Sequence, residues 1–158
     1  NLLIIDLGGG TCDWLLSNDR KIISSRSGAY QKGVLACVFA ICESINKSFA
    51  TDPLVIQRID DALRNGKTSF KLSGNEYQVA KYMQHAKHIL NECLNQVFTS
   101  VGSLTSVDKI IFTGGGGRLL YECAKESWAT YSNVMTVDEN PVFSIVTGMW
   151  HIGELMNA

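Results

Sequence analysis

Two glycine-rich stretches carry the residues best suited to chemistry. The first is Ile4-Ile5-Asp6-Leu7-Gly8-Gly9-Gly10-Thr11-Cys12-Asp13. An apolar run enters, a carboxylate stands at its end, three glycines turn the chain, and Cys12, Trp14 and Leu16 alternate on the way out. Apolar alternation on both sides of a short glycine turn reads as two strands of a hairpin. Consecutive glycines leave their N–H groups uncovered, so the turn can wrap an anion such as a phosphate. Asp6, at the strand end, is placed to hold a hydrated Mg²⁺ or to orient a water molecule.

The second stretch is Ile110-Ile111-Phe112-Thr113-Gly114-Gly115-Gly116-Gly117-Arg118. It puts small residues where a helix begins after a strand. A flat ring or a ribose can then approach the backbone closely, and the helix N-terminus favours an anion. Neither stretch is a G-x-x-x-x-G-K-[ST] loop or a G-x-G-x-x-G fingerprint with its acidic partner, which disfavours the common phosphate-loop and dinucleotide folds.

The elements that must position these turns follow from periodicity. After the hairpin, Ser17 to Arg20 reads as a turn, Lys21 to Ser27 as a third antiparallel strand, and Ser27 to Gly33 as a loop. Val34, Val38, Ile41, Ile45 and Phe49 fall on one face of a helix, with Leu35, Cys37 and Phe39 burying further sides. Asp52-Pro53 opens a second helix with Leu54, Val55, Ile59 and Leu63 on its apolar face, and Asn65-Gly66 ends it. Lys67 to Leu72 and the turn Ser73-Gly74-Asn75 suggest a short strand or hairpin edge. A long amphipathic helix carries Val79, Met83, Ala86, Leu90, Leu94, Val97 and Val101. Then come a strand at Lys109–Thr113, a helix from about Arg118 to Trp128 and a strand at Val134–Val137. Asn140 as cap and Pro141 in the first turn predict a last helix bearing Phe143, Val146, Met149, Trp150 and Ile152. Three antiparallel strands, a helix, then strand–helix–strand–helix is the order of an α/β, ribonuclease-H-like fold. Residues 1–49 and 107–158 would form it, with 50–106 as an inserted helical subdomain.

A chain of 158 residues, 46% apolar, 18% charged and of net charge −1, suits a globular domain with a sizeable core. No basic surplus points to nucleic acid or an anionic membrane, and no apolar run approaches the roughly 20 residues of a membrane span. The first residues already lie within a strand, which suggests a fragment lacking an N-terminal part. Cys12, Cys37, Cys42, Cys93 and Cys123 are scattered in mostly apolar context without a C-x-x-C pair, as expected of reduced core thiols in a cytoplasmic protein rather than a metal site.

Together the two glycine motifs resemble those of the actin, heat-shock chaperone and sugar kinase ATPase superfamily. Asp6-Leu7-Gly8-Gly9-Gly10-Thr11 looks like its second phosphate motif and Thr113-Gly114-Gly115-Gly116-Gly117 like its adenosine motif. Asp108 to Phe112 and the close Asn140-Pro141-Val142-Phe143-Ser144-Ile145-Val146-Thr147-Gly148-Met149-Trp150 look most like the ParM/StbA-like plasmid-segregation actins. The resemblance implies ATP or ADP with Mg²⁺ as cofactors, in the C-terminal lobe of a two-lobed ATPase. Asp6 would hold Mg²⁺ through water and orient the attacking water. Gly8, Gly9, Gly10 and Thr11 would bind the β- and γ-phosphates, with Asp13 a weaker candidate behind them. Gly114, Gly115, Gly116 and Gly117 would pack on adenine and ribose, and Arg118 would lie on the adenine face as a cation–π partner. Partners implied are an N-terminal lobe absent from this chain, further copies in ATP-dependent filaments, and DNA only through an adaptor protein, with no membrane.

Plainer readings stand beside these. Gly8 to Gly10 can be a simple tight hairpin, and Gly114 to Gly117 simple close packing of a helix on a strand. His85 and His88 read as solvated, and the three tryptophans as packing residues. Arg58, Asp60, Asp61 and Arg64 form what is usually a solvated helix face. By resemblance, one of them reaches the adenosine, but the sequence does not select which. A second functional class, a non-polymerising ATP-binding adapter for a protein partner, also fits. A sugar or acetate kinase finds no acceptor pocket in the sequence.

Overall fold

In a computed structural model the described residues are 1–19 and 21–157. The strands are β1 (Leu2–Leu7), β2 (Cys12–Asn18), β3 (Lys21–Ile22), β4 (Gly28–Tyr30), β5 (Ser69–Leu72), β6 (Asn75–Gln78), β7 (Lys109–Thr113) and β8 (Met135–Val137). The helices are α1 (Val34–Ile45), α2 (Pro53–Arg64), α3 (Val79–Val101), α4 (Gly117–Ser127) and α5 (Ser144–Asn157). The main sheet runs β3-β2-β1-β7-β8, with β4 also paired to β2. β1 and β2 are antiparallel, while β7 lies parallel to β1 and β8 parallel to β7. This is the ribonuclease-H-like topology expected from the element order.

Strand alternation divides the sheet into two unlike faces. Leu3, Ile5, Leu7, Cys12, Trp14, Leu16, Ile110 and Phe112 point to a face where all are buried. Helices α1, α3 and α4 cover that face: Leu7 meets Val34 of α1 beside Gly116, Trp14 Nε1 donates to Ser100 Oγ of α3 at 3.0 Å, and Phe112 packs edge-on to Tyr121 of α4. Each large side chain withdrawn from water there contributes about 1.5–3 kcal/mol. The opposite face carries Ile4, Asp6, Asp13, Leu15 and Ile111, all only half-buried.

Local chemistry explains where expectation and structure differ. The single third strand expected over Lys21–Ser27 is instead two short strands, β3 and β4, separated by a 3-10 turn at Ser24–Arg26. Ser27 causes the break: its Oγ accepts from the Leu16 N–H at 3.0 Å and donates to the Ile23 carbonyl at 3.0 Å, standing in for a backbone rung. The loop expected at 27–33 contains β4, where Gly28 lies under the indole of Trp14; a Cβ there would meet that ring at 2.8 Å. Helix α1 stops at Ile45 rather than reaching Phe49, because Asn46 adopts an extended backbone and its side chain caps Ser48 N. Leu54, expected on the apolar face of α2, is exposed, and Ala62 takes its share of the burial. Asp52 caps α2 as expected, its Oδ1 accepting from Leu54 N at 2.9 Å.

The Ser73-Gly74 turn has both φ angles positive, +49° and +81°, as a two-residue β5–β6 hairpin needs. Helix α3 buries Ala86, Leu90, Cys93, Leu94, Val97 and Val101 and packs along α1. Residues 50–106 are therefore continuous with the main core through α3. Helix α5 begins at Ser144, not at Pro141. Asn140 forms a turn before it, with its N–H held by Asp138 Oδ1 and its carbonyl accepting from Phe143 N. Phe143 thus precedes the helix, and Val146, Met149 and Trp150 are exposed on it. Arg20 of the expected turn and the side chain of Ile152 lie outside the described residues.

Candidate functional site

The two glycine turns leave neighbouring strands at the same end of the sheet. β1 and β7 are parallel with Asp6 opposite Thr113, so the turns that follow them are side by side. The first is closed by Gly8 N donating to Thr11 O at 2.9 Å. Its outward carbonyls are used by the start of α1: Val34 N donates to Gly8 O at 3.0 Å and Leu35 N to Gly9 O at 2.9 Å. The positive end of α1 thus sits directly behind the turn. The second turn is tied to the first by Gly116 N donating to Leu7 O at 2.9 Å, and to the segment before α5 by Gly114 N donating to Pro141 O at 2.8 Å. Thr113 Oγ1 reinforces that tie, donating to Pro141 O at 2.9 Å.

Among the described residues, the N–H groups of Gly9, Gly10 and Gly115 donate to no protein acceptor. Unused amides at adjoining turns form a concave set of donors suited to an anion.

Asp6 stands where the turns meet. In the antiparallel register it faces Asp13. Partial burial, and then the nearby Asp13 charge, push the Asp6 carboxyl above its ordinary value. Asp13 Oδ2 accepts from Thr11 Oγ1 at 2.7 Å, so the threonine hydroxyl is turned toward Asp13. Paired carboxylates offer oxygen donors that suit a magnesium ion keeping most of its water, and a divalent cation would relieve their mutual repulsion. No cluster of three or more metal-ligating His, Cys, Asp or Glu side chains occurs among the described residues.

A cavity of about 570 Å³ opens beside the second turn, lined by Asp60, Arg64, Asn65, Gly114, Gly115, Arg118 and Pro141 among others. Arg118, the second residue of α4, is exposed at its mouth. Within the charge cluster of α2, Arg58 Nη1 donates to the Lys71 carbonyl at 2.8 Å and Asp61 pairs with Lys67, both directed toward the β5–β6 side. Arg64 instead turns to the glycines. Its guanidinium fills the place a Cβ on Gly115 would take, and Nη2 lies 3.7 Å from the corresponding point on Gly9. Sequence reading could not choose Arg64 from its neighbours. The usable signal was its place in the last turn of α2, one position before the expected helix end.

The remaining chemistry-bearing residues stay outside this cluster. His88 is exposed with Nε2 3.4 Å from Glu92, and His85 lies beside Gln84. All five cysteines are free and buried. Burial pushes the Cys37 thiol up to about 12 and the Cys42 thiol up to about 11.

Comparison with known proteins places this geometry. Residues 4–126 match the family model of the archaeal actin homologue MreB-like C-terminal domain. No curated protein matches the chain in sequence. A pCBH ParM non-polymerisable quadruple mutant is similar in structure with a TM-score of 0.75 and 18% identity over 98% of this chain and 46% of that one. The archaeal actin homologue Ta0583, in complex with ADP, gives 0.71 and 20% identity over 90% and 44%. A ParM from a 15-stranded filament of Clostridium botulinum gives 0.69 and 19% over 90% and 42%. The chain spans less than half the length of these relatives, and the likeness at such identities establishes the fold. Both the first glycine turn and the second lie inside the family match, and the chain belongs to the C-terminal domain family of archaeal MreB-like actin homologues.

Proposed function

We propose that this chain is the nucleotide-binding C-terminal lobe of an actin-like ATPase that assembles into ATP-dependent filaments in the cytoplasm, with plasmid segregation as the filament's task. The observation that carries the reading is the union of two glycine turns around Asp6 beside an open cavity. Gly8, Gly9, Gly10 and Thr11 would receive the β- and γ-phosphates; Thr11 would exchange Asp13 for a phosphate oxygen. Gly114 to Gly117 would lie against ribose and adenine, with Arg118 on the ring from the cavity mouth. Asp6, with Asp13 beside it, would hold Mg²⁺ through water. The metal would supply charge neutralisation on the transferred phosphoryl group.

Phosphoryl transfer depends on positioning and charge stabilisation rather than covalent work by the protein. This chain supplies one wall for that purpose, and an N-terminal lobe would supply the other. Filament formation draws support from the ParM filament similar to it in structure, and nucleotide binding from the ADP complex of Ta0583. DNA would be reached through an adaptor protein.

Calorimetric titration of the 158-residue chain with Mg-ADP tests the site. Weak binding without appreciable hydrolysis is the expected outcome. Absence of any binding, or ATP turnover equal to that of a longer form carrying an N-terminal lobe, would contradict the reading.

A further inference from the structure

We propose that Cys12 and Cys93 form a redox-sensitive pair: peroxide closes them into a disulfide that ties β2 to α3 and weakens the grip of the first glycine turn on nucleotide. The cross-link itself stands apart from the nucleotide reading above, whereas its effect on Mg-ADP rests on that reading.

The fold brings the two sulfurs together. Cys12 opens β2 on its buried face, opposite Leu7 of β1 and Tyr30 of β4. Three contacts lay α3 along that face. Trp14, two residues on from Cys12 and on the same side of β2, donates through Nε1 to Ser100 Oγ at 3.0 Å. Ser100 stands seven residues, about two helical turns, after Cys93. Nearer Cys93, Tyr30 Oη donates to Glu92 Oε2 at 3.5 Å, and Cys93 Sγ donates to the Lys32 carbonyl at 3.7 Å. Within this frame the Cys12 thiol donates to Cys93 Sγ. The other thiols near α3 are engaged elsewhere: Cys37 Sγ meets the Ala86 carbonyl at 3.8 Å, and Cys123 Sγ meets Asn91 Oδ1 at 3.5 Å. Among the described residues, Cys12 and Cys93 are the only two thiols in hydrogen-bond contact with each other.

The hydrogen bond from Cys12 holds the Cys93 thiol below its ordinary value, although burial opposes it. Cys93 is therefore the sulfur that attacks as thiolate. It bonds to one oxygen of hydrogen peroxide, the O–O bond breaks, and the departing hydroxide takes up a proton and leaves as water. The product is a sulfenic acid. The Cys12 sulfur then bonds to the Cys93 sulfur, the S–O bond breaks, and the hydroxide leaves as a second water with the Cys12 proton. Each sulfur gives one electron, and the peroxide takes both. Both thiols are covered, so local opening must admit the oxidant, which a two-oxygen molecule needs least of. A bond made this way in a reducing compartment is transient and reports oxidation.

Both ends of the bond border the first turn. Cys12 lies between Thr11 and Asp13, whose side chains are joined at 2.7 Å. Cys93 touches Lys32, the neighbour of Gly33, and a Cβ on Gly33 would lie 2.5 Å from the Gly8 and Gly9 carbonyl oxygens. A covalent S–S bond is shorter than the hydrogen-bonded contact it replaces. Closing it draws the start of β2 toward α3 and moves Thr11 from its place beside a bound phosphate.

The test treats the whole 158-residue native chain with hydrogen peroxide, blocks free thiols by alkylation, and maps linked peptides by mass spectrometry. The expected product has lost the mass of two hydrogens, carries a Cys12–Cys93 link, and returns to the starting mass with dithiothreitol. Cys37→Ala should leave the link in place and Cys93→Ala should abolish it. The wild-type map decides even if a variant folds poorly. Links through Cys37 or Cys123, the mixture given by the chain oxidised in denaturant, or sulfinic acid without a link each overturn the proposal. Calorimetry then compares Mg-ADP on the reduced and oxidised chains. Affinity weakened about tenfold on oxidation, the size of one lost hydrogen bond to a charged group, and slower link formation with Mg-ADP present support the coupling. Equal affinity of the two forms overturns the coupling. If the reduced chain binds no Mg-ADP, the nucleotide reading falls and takes the coupling with it, while the peptide map still decides the cross-link.

Discussion

A Cβ on Gly114 would overlap the Oδ1 of Asp6. Asp6 lies in β1 and Gly114 in the turn just after β7, far apart in sequence, yet the carboxylate of one uses the space left by the other's missing side chain. Gly114 also has φ +82°, and its Cβ position lies 2.6 Å from the Leu7 carbonyl oxygen. Backbone conformation and close approach therefore demand glycine for separate reasons.

Gly114→Ala is expected to cost stability of order 1–3 kcal/mol from the strained backbone alone. At about 2–4 °C per kcal/mol for a domain of this size, a thermal melt will register it. The substitution should also move Asp6 and weaken Mg-ADP binding. A melt within one degree of wild type would show that the turn re-forms around the methyl group.

Asp6→Asn is expected to make the protein more stable at neutral pH and to flatten its pH dependence. Burial and the Asp13 charge raise the Asp6 carboxyl above its ordinary value. A group raised in the folded state binds protons there more readily than in the unfolded chain, so its contribution is fully present below the ordinary carboxylate value. It is lost as pH rises through the folded value. Denaturant unfolding of wild type should show this decline, and the asparagine variant should lack it. Added Mg²⁺ should narrow the difference, because the cation offsets the carboxylate repulsion in wild type only. An Asp6→Asn protein less stable than wild type at pH 7 would contradict the assignment.

Why so much of this was legible in advance comes down to periodicity. β1, β2 and β7 alternate cleanly, α3 repeats its apolar residues at three- and four-residue steps, and Asp52-Pro53 marks the start of α2. Such signals are local, and so is each glycine run. What failed was governed by single side chains acting on a nearby backbone: Ser27 splitting the third strand, Asn46 ending α1, and Asp138 holding the turn that delays α5. Arg64 was hidden for the opposite reason. Its neighbours Gly9 and Gly115 are remote in sequence, and in Arg58-Ile59-Asp60-Asp61-Ala62-Leu63-Arg64 only the place in the last turn of α2 sets the arginine that turns inward apart from the one that turns to Lys71.

Gly33 and Gly10 form an internal contrast. A Cβ on Gly33 would lie 2.5 Å from both the Gly8 and Gly9 carbonyl oxygens, the same oxygens that accept from the first N–H groups of α1. These are backbone atoms that cannot swing aside. Gly33→Ala should therefore cost about 1–3 kcal/mol and distort the first turn. Around Gly10 there is no heavy atom within 4 Å of the Cβ position, so Gly10→Ala should stay within about 0.5 kcal/mol of wild type. Paired unfolding curves check both. Equal effects of the two substitutions would mean that α1 does not hold the turn as the hydrogen bonds indicate.

The buried thiols give a probe of the core beneath this site. Cys37 lies on α1 with its Sγ 3.8 Å from the Ala86 carbonyl of α3, and burial pushes its thiol up to about 12. Cys42, one turn further along α1, is pushed up to about 11. The thiolate is the reactive species, and at pH 8 both thiols are almost entirely protonated as well as covered. A thiol reagent such as a dithiobis-nitrobenzoate should therefore react with the native chain no faster than the chain opens, and with all five cysteines once it is unfolded. Loosening the first turn through Gly33→Ala should raise the rate at Cys37 and Cys42, because α1 begins against that turn. Mg-ADP should slow it again by holding the turn in place. Prompt reaction of Cys37 in the native protein at pH 8 would mean that the α1–α3 interface opens independently of the glycine turns.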